Sequence, residues 1–226
     1  MLVLALDTTT RAGSAAILRD AIVVAERIGD PELTHGERLP TELMRLLDEA
    51  AVRIEDVELF AVAAGPGSFT GLRVGIATVQ GLAMARGRRV VPVSALEALA
   101  RAGTNAHRPI ATWMDAQRAE IFAALYAPDG RDVLIAARSA EPGDVLAATD
   151  LHETVFIGDG AVRYRDIIIS RVGEGATIVP PPPLAGLIGQ IAAADPARAV
   201  LPHAVVPIYI RKSDAELARA RRAGGN

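Results

Sequence analysis

The stretch Gly65-Pro66-Gly67-Ser68-Phe69-Thr70-Gly71-Leu72-Arg73-Val74-Gly75 carries four glycines and joins two different hydrophobic patterns. Residues 57–64 before it are nearly all apolar and end at a Gly-Pro pair, which predicts a short buried strand. The residues after it follow the period of a helix. The stretch therefore predicts a strand–turn–helix unit.

The predicted helix has two neighbouring faces. One is apolar and carries Leu72, Ile76 and Val79, and the other is a stripe of small residues, Gly71, Gly75 and Thr78. Such a stripe lets another segment of backbone approach the helix closely. Glycines serve tight turns in proteins generally, so the glycines alone favour a turn and close packing over anion binding.

The turn does not match the two common phosphate-binding motifs. Its spacing, G-x-G-x-x-x-G, is one residue longer than the dinucleotide fingerprint. No Gly-Lys-Ser/Thr follows, which a P-loop needs to place an ammonium and a hydroxyl at phosphate and Mg²⁺. Neither site is therefore expected.

Composition indicates an ordinary globular chain. The 226 residues are 50% hydrophobic and 23% charged with a net charge of −3, which excludes a disordered polymer and binding of nucleic acid through overall charge. Cysteine is absent, which excludes disulfides and thiolate chemistry. The first apolar run ends at Asp7, too early for a signal sequence, and no stretch reaches about 20 apolar residues. We expect a cytoplasmic protein without a membrane segment.

The first half predicts the order βββαβαβα. Residues 2–28 contain three strand patterns separated by short turns. The helix that follows opens with a Thr34/Glu37 capping box, although Pro40 indicates a kink or a later start. The glycine stretch, a strand at 89–93 and a further helix complete the order.

The second half repeats this pattern. It predicts strands at 110–115, 119–126, 132–138 and 154–157, a short helix near 142–148, and helices at 184–194 and 213–222. Asp7 and Asp115 both close a strand, and the sequences that follow them align without a gap at an offset of 108.

The repeat predicts an α/β fold of two actin-like lobes (the ASKHA, ribonuclease H-like plan), each βββαβαβα, with the second lobe reduced. We place the first lobe at residues 1–103. The second lobe, truncated and followed by a C-terminal tail, is placed at 104–226, because residues 101–109 are rich in turn residues.

In the actin and sugar-kinase class, ATP lies between the lobes, and the corresponding residues here are incomplete. Such a site needs glycines beside the strand-ending acids so that backbone can wrap phosphate oxygens. The chain has Asp7-Thr8-Thr9-Thr10, Asp115-Ala116-Gln117-Arg118 and only Gly158-Asp159-Gly160 later. We interpret Asp7, Thr8, Thr9, Thr10, Asp115, Gly158, Asp159 and Gly160 as a vestigial nucleotide cleft; the threonine hydroxyls leave Mg²⁺ or phosphate binding open.

Five segments together resemble the TsaB (YeaZ) family. They are the glycine stretch, which is the specific part, and the weaker Leu4-Ala5-Leu6-Asp7-Thr8-Thr9, Asp115-Ala116-Gln117-Arg118, Ile157-Gly158-Asp159-Gly160 and Pro207-Ile208-Tyr209-Ile210-Arg211. The resemblance implies a non-catalytic partner of the ATPase TsaD in bacterial synthesis of threonylcarbamoyladenosine, a tRNA modification beside the anticodon. It also implies TsaE as a further partner, with ATP and Mg²⁺ on the partner subunits and no cofactor, metal or catalytic residue here.

The resemblance further implies that the first two helices pair with TsaD, and that the same surface forms a homodimer when the chain is alone. The residues assigned to it are Leu39, Leu43, Leu46, Leu47, Phe69, Gly71, Leu72, Gly75, Ile76 and Val79. Gly75→Leu is expected to hold the helices apart while leaving the fold largely intact. Periodicity alone favours the alternative that these stripes cover their own sheet.

Two rival functions remain open. One is an independent ATP-dependent enzyme of the sugar-kinase type, with Asp7 holding metal or phosphate. The other is tRNA binding through the basic residues Arg211, Lys212, Arg219, Arg221 and Arg222, although direct tRNA contact is uncertain. A histidine metal site is not expected, because the resemblance implies paired histidines four residues apart in TsaD, whereas here His35 is followed by Leu39.

Overall fold

The structure is a computed structural model that describes residues 1–104, 107–149, 151 and 153–211. The predicted helix at 213–222 and the basic residues from Lys212 onward lie outside the described residues. Within the described part of the chain, no helix combines the length and the apolar character needed to cross a membrane.

The first lobe is a five-stranded mixed sheet with the order β3-β2-β1-β4-β5. Its elements are β1 (Leu2–Asp7), β2 (Ser14–Arg19), β3 (Ile22–Ile28), α1 (His35–Glu49), β4 (Leu59–Gly65), α2 (Phe69–Ala85), β5 (Val90–Ser94) and α3 (Ala95–Ala102). β1 is antiparallel to β2 and parallel to β4. The predicted order βββαβαβα is confirmed.

The second lobe has a matching five-stranded sheet, β8-β7-β6-β9-β10. Its elements are β6 (Ile110–Asp115), β7 (Ile121–Tyr126), β8 (Val133–Ala140), α4 (Pro142–Ala147), β9 (Val155–Ile157), α5 (Asp159–Arg163), α6 (Arg165–Val172), β10 (Thr177–Val179) and α7 (Ala185–Ala194). The duplicated actin-like plan is confirmed. The second lobe has as many strands as the first, but it is reduced because β9 and β10 have only three residues each.

Helix α1 begins at His35 despite the proline within it. The Thr34 side chain accepts from the Glu37 N–H, and the Glu37 carboxylate accepts from the Thr34 N–H at 2.8 Å, so the predicted capping box is confirmed. Pro40 was expected to cause a kink or a later start. The later start is wrong, because the capping bonds and the burial of Leu39 hold the first turns in place.

The first β-hairpin of each lobe, β1–β2 and β6–β7, has a turn of different length. The ungapped alignment of the two halves is therefore wrong at this turn. Asp7 pairs with Ser14 in the first lobe, whereas Asp115 pairs with Ile121 in the second. The second turn is therefore one residue shorter. It closes through left-handed backbone at three consecutive residues, 117–119, whose φ values are 60°, 56° and 62°.

The two sheets share one core. Helices α3 and α7 lie between them, with Leu99, Ile188 and Ala192 buried in the same cluster as Val3 of β1 and Met114 of β6. Helix α7 is the last element of the second lobe in sequence, but it packs mainly on β1 and β2 of the first lobe. Residues from both sides of the predicted 103/104 boundary therefore build the same core.

Helices α1 and α2 cover the outer face of the first sheet. Leu39, Leu43, Leu46, Leu72, Ile76 and Val79 are all at most 7% exposed. Of the residues predicted to form a partner interface, these six are thus buried against the chain's own sheet. Leu47 is partly buried and Phe69 is 38% exposed, so the outward faces of the two helices are formed mostly by other residues.

The helix α1 residues allow a direct test of this arrangement. Leu46→Ala should lower the free energy of unfolding by about 2–5 kcal/mol, because it leaves a cavity under a fully buried side chain. Met44→Ala, two residues away and 64% exposed, should change it by less than about 0.5 kcal/mol. Urea unfolding of both variants measures the difference; equal effects would contradict the packing.

Candidate functional site

A cleft lies between the lobes, where strands β1, β4, β6 and β9 end. Its cavity has a volume of about 1170 Å³. The walls are formed by the turn after β1, the start of α1, the glycine stretch, the turn after β6 and the C-terminal segment, including Thr10, His35, Ser68, Phe69, Asp115, Asp159 and Tyr209. Of the eight residues predicted for a vestigial nucleotide cleft, four line this cavity, Thr9, Thr10, Asp115 and Asp159. The other four do not: Asp7, Thr8, Gly158 and Gly160.

Asp7 is buried and is engaged by its own turn. Its Oδ1 accepts from the Thr9 N–H at 2.8 Å and from the Thr9 hydroxyl at 2.6 Å, and its side chain does not line the cavity. Burial raises the pKa of this carboxyl, while the bonds from Thr9 oppose the rise. The arrangement fixes the turn and leaves Oδ1 occupied.

The glycine stripe of α2 packs on this same turn. A Cβ on Gly71 would lie 2.1 Å from the Thr8 carbonyl oxygen, and one on Gly75 would lie 2.1 Å from Thr8 Oγ1. A Cβ on Gly67 would lie 2.5 Å from Thr9 Cβ. The close approach predicted from the small residues thus occurs within the lobe, and the glycines are required by the fold.

The second acid of the cleft is paired as well. Asp115 Oδ1 accepts from the Gln117 N–H, and its Oδ2 accepts from Gln117 Nε2 and from Arg163 Nη1, both at 2.8 Å. Asp115 lines the cavity, but both of its carboxylate oxygens are already bonded to groups of its own lobe.

Asp159 holds the start of helix α5 against β6. Its Oδ1 accepts from the N–H groups of Asp115 at 3.1 Å and of Gly160 at 2.9 Å. A Cβ on Gly158, whose φ is 125°, would lie 2.1 Å from the Trp113 carbonyl oxygen, and one on Gly160 would lie 2.9 Å from the Met114 carbonyl carbon. The Gly-Asp-Gly turn is therefore filled by strand backbone, where a phosphate would need space.

His35 is held between two groups, which fixes its tautomer. Its Nδ1 lies 2.6 Å from Arg38 Nη2 and its Nε2 lies 3.1 Å from the Thr10 carbonyl oxygen. A guanidinium only donates, so Nδ1 accepts and Nε2 carries the proton. Burial and the Arg38 charge lower the pKa of His35. Among the described residues, no group of three or more His, Cys, Asp or Glu side chains is placed to hold a metal.

Arg38, which sequence analysis did not single out, supports the turn after β1 that lines the cleft. It is 4% exposed, pairs with Glu42 one helical turn away and donates to the carbonyl oxygens of Ala12 and Arg11, so it anchors the turn after β1. The i, i+4 spacing of Arg38 and Glu42 was the available signal. Its burial was not predictable, because arginines are rarely buried.

An aromatic cluster forms the rim of the cavity at the start of α2. The rings of Phe69 and Tyr209 stack with centroids 5.2 Å apart. The Arg73 guanidinium lies 3.9 Å above the Phe69 ring, and its Nε donates to the Tyr209 hydroxyl at 3.2 Å. Ser68, whose hydroxyl accepts from the Gly71 N–H, caps the same helix.

Substitutions at Gly75 test the packing of α2 on Thr8. The expectation that Gly75→Leu leaves the fold largely intact is wrong, because even a Cβ at this position collides with Thr8. Gly75→Ala should lower the free energy of unfolding, and Thr8→Ala in the same chain should restore most of the loss. Gly81→Ala, where a Cβ meets no atom within 4 Å, should be neutral or stabilising by up to about 1 kcal/mol. Urea unfolding of the four chains tests this.

Asp7→Asn should keep the turn and remove a buried charge, because both Thr9 bonds go to one oxygen. Since burial raises the Asp7 pKa, the ionised form lowers stability once the pH exceeds the unfolded value of about 3.9. The variant should equal or exceed the parent in stability at pH 7, and this difference should shrink toward pH 4. Unfolding titrations measure it, and a less stable variant at pH 7 would contradict this account.

Comparisons with known proteins agree with this geometry. A family model described as TsaD, tRNA N6-adenosine threonylcarbamoyltransferase, matches residues 31–152. The tRNA threonylcarbamoyladenosine biosynthesis protein TsaB of Escherichia coli is 33% identical over 77% of this chain and 80% of its own length. The structure of YeaZ from Pseudomonas aeruginosa is similar with a TM-score of 0.76 and 28% identity, over 92% of this chain and 99% of that one.

A more distant structure shows only the fold. The activator of the 2-hydroxyisocaproyl-CoA dehydratase from Clostridium difficile has a TM-score of 0.51 at 13% identity, over 86% of this chain and 95% of that one. The relatives and the matched model therefore place the chain in the TsaB (YeaZ) family, which is named for the biosynthesis of threonylcarbamoyladenosine in tRNA.

Proposed function

We propose that this chain is a non-catalytic subunit that binds a TsaD-type threonylcarbamoyltransferase and supports it in forming N6-threonylcarbamoyladenosine next to the anticodon of tRNA. TsaE would be a further component of the complex, which would act in the cytoplasm. ATP and Mg²⁺ would bind to the partner subunits.

One observation carries the non-catalytic part of the proposal: the acids of the cleft are already engaged by the protein. Thr9 holds Asp7, Gln117 and Arg163 hold Asp115, and backbone N–H groups hold Asp159. A nucleotide site on this fold would need these carboxylates free for Mg²⁺, and glycine backbone beside the strand-ending acids for phosphate. Here those groups stabilise the turns that carry them.

The outward faces of α1 and α2 are the surface that we assign to the partner. They expose Met44, Ala77, Gly81 and Met84. Ala77 and Gly81 lie one turn apart on α2, so a second helix can approach its backbone closely. This surface replaces most of the buried residues that sequence analysis assigned to the interface, and Phe69 lies at its edge.

The shared family model supports the choice of partner. It matches residues 31–152, which include both helices, and it is named for the transferase. Two chains of related fold can present equivalent helix pairs to each other and pack them about a pseudo-twofold axis. The same geometry allows a homodimer of this chain when the partner is absent.

Reconstitution tests the function as a whole. Modified tRNA is measured with all subunits present and with each one omitted in turn. We expect product formation to fall when this chain is left out, while the chain alone hydrolyses no ATP. ATP turnover by the isolated chain would contradict the non-catalytic assignment and favour the kinase-type alternative.

Gly81→Leu should weaken binding to the transferase at least about tenfold, or about 1.4 kcal/mol, because its side chain holds the helices apart. Titration calorimetry with the purified partner measures this. Gly143→Leu on α4 is the matched control, since it is also an exposed helical glycine with no atom within 4 Å of its Cβ. Equal affinity of the two variants would rule out this face of α2.

A further inference from the structure

The C-terminal segment 205–211, called the strap below, crosses the mouth of the cleft. Ile208, Tyr209, Ile210 and Arg211 line the cavity together with Asp115 of the second lobe. The strap follows a short turn of 3-10 helix at Pro202–Ala204 that contacts α2. It therefore runs from the side of α2 toward the second lobe.

The first half of the strap is fixed to the first lobe. Gln80 Nε2 donates to the carbonyl oxygens of Pro202 and Val205 at 2.9 and 3.1 Å. The Ile208 N–H donates to the Ala64 carbonyl oxygen at 2.6 Å, directly before the glycine stretch. The Tyr209 ring completes this attachment by stacking on Phe69.

The last residue of the strap is fixed to the second lobe. Arg211 Nη1 lies 3.1 Å from Glu120 Oε2, just before β7, and the same carboxylate oxygen accepts from the Ser139 hydroxyl of β8 at 2.7 Å. Ile210, between the two attachments, packs against the core shared by the lobes. The pair is about one-third exposed, so it can break without opening a core.

At the back, α3 and α7 join the lobes through a continuous apolar core. A rotation about this core would open the front of the molecule, where the strap lies.

We propose that the strap is a clasp: the Arg211–Glu120 ion pair and the Tyr209–Phe69 stack hold the front of the two lobes together and set how far the cleft opens. Because Phe69 and Arg73 begin α2, the clasp also connects the N-terminal turn of that helix to the second lobe. The clasp is a property of the isolated chain and does not depend on the proposed partner.

Distance measurements between spin labels test the clasp. The chain contains no cysteine, so Asp48→Cys on α1 and Asp144→Cys on α4, both exposed on opposite outer layers, provide one unique pair of labels. In this background, Arg211→Ala, Glu120→Gln and Tyr209→Ala should each shift the distance distribution to longer and broader values. The exchange rate of the Ile208 amide should rise in Tyr209→Ala.

Arg163→Ala is the matched control, because it breaks an arginine–carboxylate pair that lies within the second lobe. Its distance distribution should coincide with that of the parent. Exchanging the partners, in Glu120→Arg with Arg211→Glu, should return the distribution toward the parent. Coincident distributions for Arg211→Ala and the parent, equal broadening in Arg163→Ala, or no recovery in the exchanged pair would overturn the proposal.

Discussion

The rest of the structure depends on the contact between the turn after β1 and the glycine side of α2. Because Gly71 and Gly75 have no Cβ, the helix lies directly on Thr8, and this depth brings its apolar face onto the first sheet. Ser68 can then cap the helix beside the cleft. This contact buries the glycines of the stripe, so the exposed residues of α2, such as Ala77 and Gly81, lie on the opposite face of the helix.

The acids of the cleft each have a structural role in the turn that carries them. In both lobes the strand-ending aspartate accepts a hydrogen bond from the backbone two residues later, so it closes its own turn. The second lobe adds an arginine, and the first adds the buried Arg38, which fixes the same loop from outside. Truncating any of these side chains would remove hydrogen bonds that hold the turns, so they have a structural role that needs no nucleotide.

Sequence patterns predicted the helices with strong caps and the strands with clear turns, such as α3 between Ser94 and Gly103. They missed β10, which has three residues between a glycine-rich turn and four prolines, and α5 and α6, which meet at Tyr164 without a clear apolar stripe. They could not show whether the leucines of α1 face a partner or their own sheet, since both roles require the same periodicity. The shortened turn at 117–119 gave no signal because it contains no glycine.

The return of α7 to the first sheet has a consequence for how the chain folds during synthesis. Residues 185–194 cover the inner face of a sheet whose strands are all complete by residue 94, and Gly189 lies against Leu18 of β2. When a nascent chain has emerged from the ribosome only as far as the end of β5, the inner apolar face of its first sheet is therefore uncovered. The inner face of the first sheet is covered only after residues 185–194 have been synthesised. The two halves of the chain therefore complete their folding together.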